Sequence, residues 1–487
     1  KMVLALNHDI LPPTLHVDEP SPHIDWSAGG VRLLTEPVPW PQSGHPRTAG
    51  VSSFGISGTN AHVILQQAPE PAAPAPEAAP LPDAASLLHV WPVSARTPAA
   101  LCAQAQRLGE YLGGHPGVDV ADVGFSLATT RAQHPYRAVI TAGGAGEDVR
   151  ERLVAGLGAL AAGRSAVGVV QHHLSGQAAS SVVFVLPGQG AQYAGMGVQL
   201  YRQHRVFADA VDEVCAALDG YLPVPLGQVM FADPDSEAAG LLTQTAYTQP
   251  ALFAFGVGMA AVLADAGIGP DVLVGHSVGE LTAAYLAGVF SLADAAGLVA
   301  QRGRLMQACP VGAMLAISAA EAEVVGLLQG FAGVGIAAVN GPSSVVVSGE
   351  VDQITAVQAQ CGAAGLVVTR LRVSHGFHSA LMDAALPEFA AVAARVRFSA
   401  PAVPVVSNLT GQIATAEQLC SPDYWVRQLR ESVRFGEGIT ALLAERERVF
   451  VELSPHPVLA AAISDTVAGV EGGSLSVVIP TLHREHP

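Results

Sequence analysis

From residue 181 onward the sequence predicts an α/β fold built on a largely parallel sheet. Short β-branched runs (SVVFVLPG, DVLVGHS, SSVVVSGE, VVTRLRVS, RVFVELSP) alternate with Ala/Leu-rich helical stretches, the pattern of strands joined by crossover helices. Half of the 487 residues are apolar and only 13% are charged, which suits packed cores and excludes a disordered chain. That length predicts two to four domains.

Taken in order, residues 1–65 are Pro-rich and predict the tail of a domain whose main body is missing. The chain starts abruptly at KMVLALNHDI, which predicts a segment of a longer polypeptide. QQAPEPAAPAPEAAPLPD, Gln66 to Asp83, predicts an extended, semi-rigid linker. Residues 88–170 join a strand-like LLHVWPVSA to helical patterns such as PAALCAQAQRLGEYLGG, which predicts a small α+β module. The apolar run Ala251 to Ala264 follows Pro250 and ends at Asp265. It is shorter than the ~20 residues of a bilayer span, so a buried core helix is expected. Five scattered cysteines without a CxxC predict neither a disulfide framework nor a metal site and fit a reducing cytosol. A net charge of −17 without a basic run excludes nucleic-acid binding, and contact with an acidic partner or coenzyme A must rest on local positive patches.

Gly275-His276-Ser277-Val278-Gly279 fits the GxSxG elbow. An apolar strand precedes it and a helix-like run from Glu280 follows, the context that leaves a serine oxygen exposed at a sharp turn. A nucleophilic serine needs a base. RVSHGFHSALMD offers His375 and His378. Gln189, in the Gly-rich turn of SVVFVLPGQGAQYAGMG, is a second place where backbone N–H groups could face an oxyanion. GLVAQRGRLMQ sets Arg302 and Arg304 on different faces of an apolar helix, and an inward arginine binds a carboxylate well. These residues predict a serine acyl-enzyme of unspecified substrate. Two other classes fit the elbow. A serine hydrolase needs an acid between serine and histidine, where Asp294, Glu350 and Asp352 lie. A docking module would carry the elbow as a vestige.

As an ordered set, PGQGAQ, TQPALFA, GHSVGE, QRGRLMQ, AVNGPSSVVVSG, SHGFHS, YWVRQLRESVRF and ELSPHPVL resemble the acyltransferase domain of modular type I polyketide synthases and the related malonyl-CoA:acyl carrier protein transacylases. LPPTLHVDEPSPHIDWSAGGVRLLTEPVPWP and RTAGVSSFGISGTNAHVIL resemble the C-terminal end of a ketosynthase, and VWPVSARTPAAL the ketosynthase-to-acyltransferase linker domain. The resemblance implies an α/β-hydrolase-like large subdomain with an inserted ferredoxin-like small one, preceded by a small α+β linker domain. The implied boundaries are 1–67 for the ketosynthase tail, 68–87 for the linker and 88–178 for the linker domain. The large subdomain then takes 179–311 and 377–487, and the small one 312–376. Its stretch GAMLAISAAEAEVV…VVTRL reads β-α-β-β-α-β, which suits the inserted fold.

The resemblance also implies roles. Ser277 is the nucleophile and His378 its base, and His375 is structural. Arg302 grips the free carboxylate of the extender unit, while Arg304 stays at the surface. The backbone N–H groups of Gln189 and Val278 form the oxyanion hole, and the Gln428 carbonyl orients the histidine. His276 and Gln249 line the pocket. The cycle implied is ping-pong: an acyl-CoA loads Ser277, and the phosphopantetheine thiol of an acyl carrier protein takes the acyl group away. No cofactor or metal is expected on the chain itself. In this family HAFH accompanies malonyl and YASH methylmalonyl. Phe377 and Val278 therefore favour malonyl, whereas Gly376, in place of the usual alanine, is expected to enlarge or loosen the pocket. A pocket separates substrates one methylene apart by only ~1–3 kcal/mol, so one such change matters. The ketosynthase tail lacks that domain's catalytic motifs. Intact synthases dimerise largely through the ketosynthase, so this segment is expected to be monomeric and cytoplasmic.

Overall fold

The computed structural model describes residues 1–68, 88–143, 147–173, 181–470 and 476–484. Most of the Pro/Ala-rich linker, residues 69–87, lies outside them. The chain divides into a unit of residues 1–84 and one of residues 85–487.

In the first unit, an antiparallel hairpin pairs Thr48–Phe54 with Asn60–Gln66 in register from Thr48↔Gln66 to Phe54↔Asn60. Arg47, buried at its base, forms an ion pair with Asp9. A short helix, Met2–Asn7, and a two-residue pairing of Ile10–Leu11 with Val38–Pro39 complete it.

The second unit opens with the α+β module. Strands Leu88–Ala95, Tyr136–Gly143 and Val169–His173 form an antiparallel sheet. Trp91 and Ile140 on that sheet share a core with Leu101, Leu112, Leu153 and Leu157 of two helices, Pro98–Gly114 and Glu147–Ala161. Trp91 also donates from Nε1 to the Val120 carbonyl at 2.8 Å, so its buried N–H is satisfied.

The large subdomain is a five-stranded parallel sheet in the order Val405–Val406, Val272–Gly275, Ser181–Leu186, Arg448–Glu452, Val477–Pro480. Its central strands are buried almost throughout, which is why they read as unbroken apolar runs and do not alternate. The helix Thr245–Asp265 packs beside them with Phe253 and Phe255 in the core. It is long and apolar enough to cross a membrane, but 78% of its apolar window is buried inside the protein. Pro250 lies within this helix, which starts six residues before the apolar run. The polar first turn hid that start; the Gln307 Oε1 satisfies the Thr245 N–H there, at 2.8 Å.

The small subdomain is an antiparallel sheet ordered Gly335–Gly341, Ser344–Gly349, Ala313–Ile317, Val368–Arg370. Helices Glu321–Leu327 and Val351–Ala363 complete the β-α-β-β-α-β order over its own core of Leu315, Val324, Val345, Val347, Ile354 and Val357. The chain enters and leaves side by side, where Val311 bridges His375 and the Gly312 N–H meets the Ser374 carbonyl at 3.1 Å. A Cβ on Gly312 would lie 2.6 Å from the Gly376 nitrogen, so side chains are excluded from this crossing. From Ser181 onward the chain is an α/β-hydrolase-like domain with a ferredoxin-like insertion, as the resemblance implies.

Candidate active site

Two glycines make the elbow sterically feasible. A Cβ on Gly275 would lie 2.1 Å from the Glu280 nitrogen, and one on Gly279 would lie 2.1 Å from the Leu186 carbonyl oxygen. Between them Ser277 takes φ 54°, a left-handed conformation that L-residues adopt at a cost, and the helix Val278–Leu286 begins directly after it. The turn is braced by side chains distant in sequence. The Asn408 Oδ1 accepts from the Ser277 N–H at 2.8 Å, and its Nδ2 donates to the Gly275 carbonyl at 2.6 Å. The Gln428 Nε2 donates to the Ser277 carbonyl at 2.7 Å. Beneath this lies a fully buried carboxylate, Glu280, which accepts from the Asn408 N–H at 3.1 Å and from the Tyr424 hydroxyl. Burial pushes the Glu280 carboxyl up to about 7.

The Ser277 hydroxyl faces the chemistry. Its Oγ lies 2.8 Å from the His378 Nε2, and the Arg302 Nη2 donates to it at 3.1 Å. The His378 Nδ1 lies 2.8 Å from the Glu431 carbonyl oxygen. A carbonyl only accepts, so Nδ1 carries the proton and Nε2 is left with a lone pair toward the serine. Burial first, then the Arg302 charge, holds the imidazole far below its ordinary value, at about 3, so it is neutral near pH 7. His378 also has a positive φ, 55°.

Arg302 is fully buried on the inner face of the helix Leu292–Gln307. Its Nη1 donates to the Gln249 Oε1 at 2.6 Å, and Gln249 is held in turn by donating to the Thr245 Oγ1 at 2.8 Å. Desolvation lowers the guanidinium to about 10, which leaves it charged at neutral pH. Arg304 points elsewhere, to Gln301 and an ion pair with Glu388 at the surface. Gln189 is half-buried in the loop after the strand Ser181–Leu186. That loop lies against the elbow, since a Cβ on Gly188 would stand 3.6 Å from the Ser277 Cβ. Val278 is the first residue of its helix, where backbone N–H groups lack intrahelical partners. His276 hydrogen-bonds the Asn340 Oδ1 at 2.9 Å, and desolvation lowers its pKa. His375 is spent on Ser374 and the Gln307 carbonyl, and Phe377 is buried beside it.

One expectation needs correction. The carbonyl that meets His378 belongs to Glu431, not Gln428. Gln428 lies inside the helix Pro422–Arg430, whereas Glu431 is past its end with extended φ, ψ of −80° and 163°, so its carbonyl is free to turn to the imidazole. Gly376 is closely packed at the subdomain crossing. The nearest atoms to a Cβ there are the Leu381 Cδ1 at 2.9 Å, the Gly349 carbonyl and the Ser348 Oγ, so its bareness serves packing at the subdomain crossing. Asp294, one of the acids between serine and histidine, caps its own helix through Ser291. Asn408, Glu280, Tyr424, Glu431 and Asn340 were not singled out from the sequence. Asn340 sits in the AVNGPS motif and Glu280 is a lone acid in an apolar helix, so these two left a trace.

Residues 183–487 match the family described as "Acyl transferase domain", and residues 20–140 match "Ketoacyl-synthetase C-terminal extension". The chain is 50% identical over 491 residues to the spectinabilin polyketide synthase system protein NorB of Streptomyces orinoci, covering 100% of this chain and 22% of that protein. It is 47% identical over 479 residues to the mycoketide-CoA synthase of Mycobacterium tuberculosis, covering 98% and 11%. The chain thus spans a quarter or less of these relatives. Among solved structures, the acyltransferase domain from module 8 of the salinomycin polyketide synthase aligns with a TM-score of 0.76 at 33% identity, over 83% of this chain and 94% of that one. The acyltransferase domain of SpnD, in complex with 2-(pent-4-yn-1-yl)malonyl, aligns with 0.73 at 34%, over 84% and 93%. Fold and matches define an acyltransferase. The chain belongs to the acyl transferase domain family, in the form that modular polyketide synthases carry.

Proposed function

We propose that the chain transfers a malonyl unit from coenzyme A to the phosphopantetheine thiol of an acyl carrier protein, through an acyl-enzyme on Ser277. The observation that carries this is the convergence of His378 and Arg302 on one serine oxygen. His378 takes the Ser277 proton at Nε2 as the oxygen attacks the thioester carbonyl. The Glu431 carbonyl stabilises the imidazolium that forms, in place of a triad carboxylate. The N–H groups of Gln189 and Val278 receive the oxyanion, each worth ~2.7–4 kcal/mol in such sites. CoA leaves as the thiol once His378 returns the proton. Arg302, pre-aimed by Gln249, pairs with the free carboxylate of the acyl group, and this pair is strong where water is excluded. The carrier thiol then attacks the acyl-serine, with His378 as base again.

We take the bulk of Phe377, next to His378 in the chain, to crowd an α-branch, which favours malonyl over methylmalonyl. The SpnD domain was captured with a substituted malonyl, and that favours a larger extender as the second reading. We take residues 1–67 as the ketosynthase tail, 68–87 as linker, 88–178 as the linker domain and 312–376 as the insertion, in a cytoplasmic enzyme.

The test is intact-protein mass after brief incubation with malonyl-, methylmalonyl- and acetyl-CoA. A malonyl adduct that is absent from Ser277→Ala is expected. Equal labelling by acetyl-CoA would remove Arg302 from the role of carboxylate anchor.

A further inference from the structure

We propose that Arg484, with His456 and His483 beside it, forms a binding site for the phosphate groups of the acyl-CoA donor, a reading that rests on the acyl transfer proposed above. At a net charge of −17 the protein as a whole repels a polyanionic substrate, so a local cationic contact must offset that repulsion. Arg484 stands where such a contact is needed. Its Nη2 donates to the Gln192 carbonyl at 3.4 Å, and its guanidinium lies 4.8 Å above the centre of the Tyr193 ring. The Arg484 backbone N–H approaches the His456 Nδ1 at 3.4 Å, and the His456 and His483 rings meet edge-on at 4.7 Å.

Gln192 and Tyr193 belong to the loop that carries Gly188 and Gln189 over the elbow. Gly188 stands against Ser277, and the four residues from there to Gln192 span at most about 14 Å of backbone. A pantetheine arm is long enough to cross that distance, so the phosphates of a thioester seated at Ser277 can reach this loop. Arg427, Arg430, Arg434 and Arg448 are each committed to a carboxylate. Arg484 has no carboxylate partner among the described residues and is exposed. Stacked on Tyr193, its planar fork is oriented in advance with N–H groups left for phosphate oxygens.

The experiment compares two donors of the same acyl group: the CoA thioester and the N-acetylcysteamine thioester, which has no phosphate. The readout is kcat/KM for acylation of Ser277, in the wild-type chain, Arg484→Glu and Arg484→Lys. Charge reversal is expected to lower kcat/KM about tenfold for the CoA donor, mainly through KM, and to leave the short thioester within about twofold. Arg484→Lys should recover most of the loss. Equal losses for both donors would assign Arg484 a structural role in bracing the Gln189 loop and overturn the proposal, as would no loss for either. If the wild-type chain is acylated by neither donor, the acyltransfer reading fails and this site fails with it.

Discussion

Ser277 and His378 both take left-handed backbone conformations, and both are non-glycine residues. Their strain is held by contacts reaching across more than a hundred residues of sequence, from Asn408 to Ser277 and from Ser277 to His378. This is also the limit of what could be read from the sequence. GHSVGE announces a turn and a candidate nucleophile because strand, glycines and helix are local. Which carbonyl meets His378 depends on where a helix ends in space, and a three-residue error between Gln428 and Glu431 follows from that. Two buried groups give opposite pH signatures. Folding holds His378 at about 3, below the 6.5 of a free imidazole, so the unfolded chain binds more protons and stability falls as pH drops below about 6.5. Folding raises Glu280 from 4.5 to about 7, so its contribution is fully present at pH below about 4.5 and is lost as pH rises through about 7. In thermal melts, Glu280→Gln should therefore gain on the wild type between about pH 5 and 8, and His378→Gln should gain as pH falls below about 6.5.

At the scale of elements, the parallel strands and the inserted β-α-β-β-α-β unit were legible because a strand buried on both faces must be apolar throughout. The start of the helix Thr245–Asp265 was not, since its first turn is polar and a proline follows. Asn408 sits just past the edge strand Val405–Val406 and ties it to the elbow of the neighbouring strand. Asn408→Ala removes both bonds and should slow Ser277 acylation about tenfold with KM little changed, as single-turnover kinetics would show. A fall in KM for the acyl donor instead would mean that the brace holds ground-state strain. Gly376→Ala should leave the malonyl-to-methylmalonyl ratio within about twofold, because the added methyl meets Leu381 and Ser348. A marked shift in extender preference in competition assays would return Gly376 to the pocket wall.

For the whole molecule, the expected state in solution is a monomer, and light scattering should return the mass of a single chain. A dimer would show that this chain self-associates. The five cysteines are free thiols in the structure. The buried ones, such as Cys215, whose thiol burial pushes up to about 12, are poor nucleophiles.

The paired crossing at Val311 and His375 makes the inserted subdomain a cassette with one point of entry and exit, seated on the large subdomain through the backbone of Val339 and Val433. Ser277, Arg302, His378 and Glu431 all lie outside residues 312–374, while Asn340, against His276, and Ser374, against His375, come from within. Exchanging this cassette between synthases would thus change one wall of the cleft while keeping every reacting atom with the host. The graft must bring a glycine at the position of Gly312, because a Cβ there would lie 2.6 Å from the Gly376 nitrogen at the crossing.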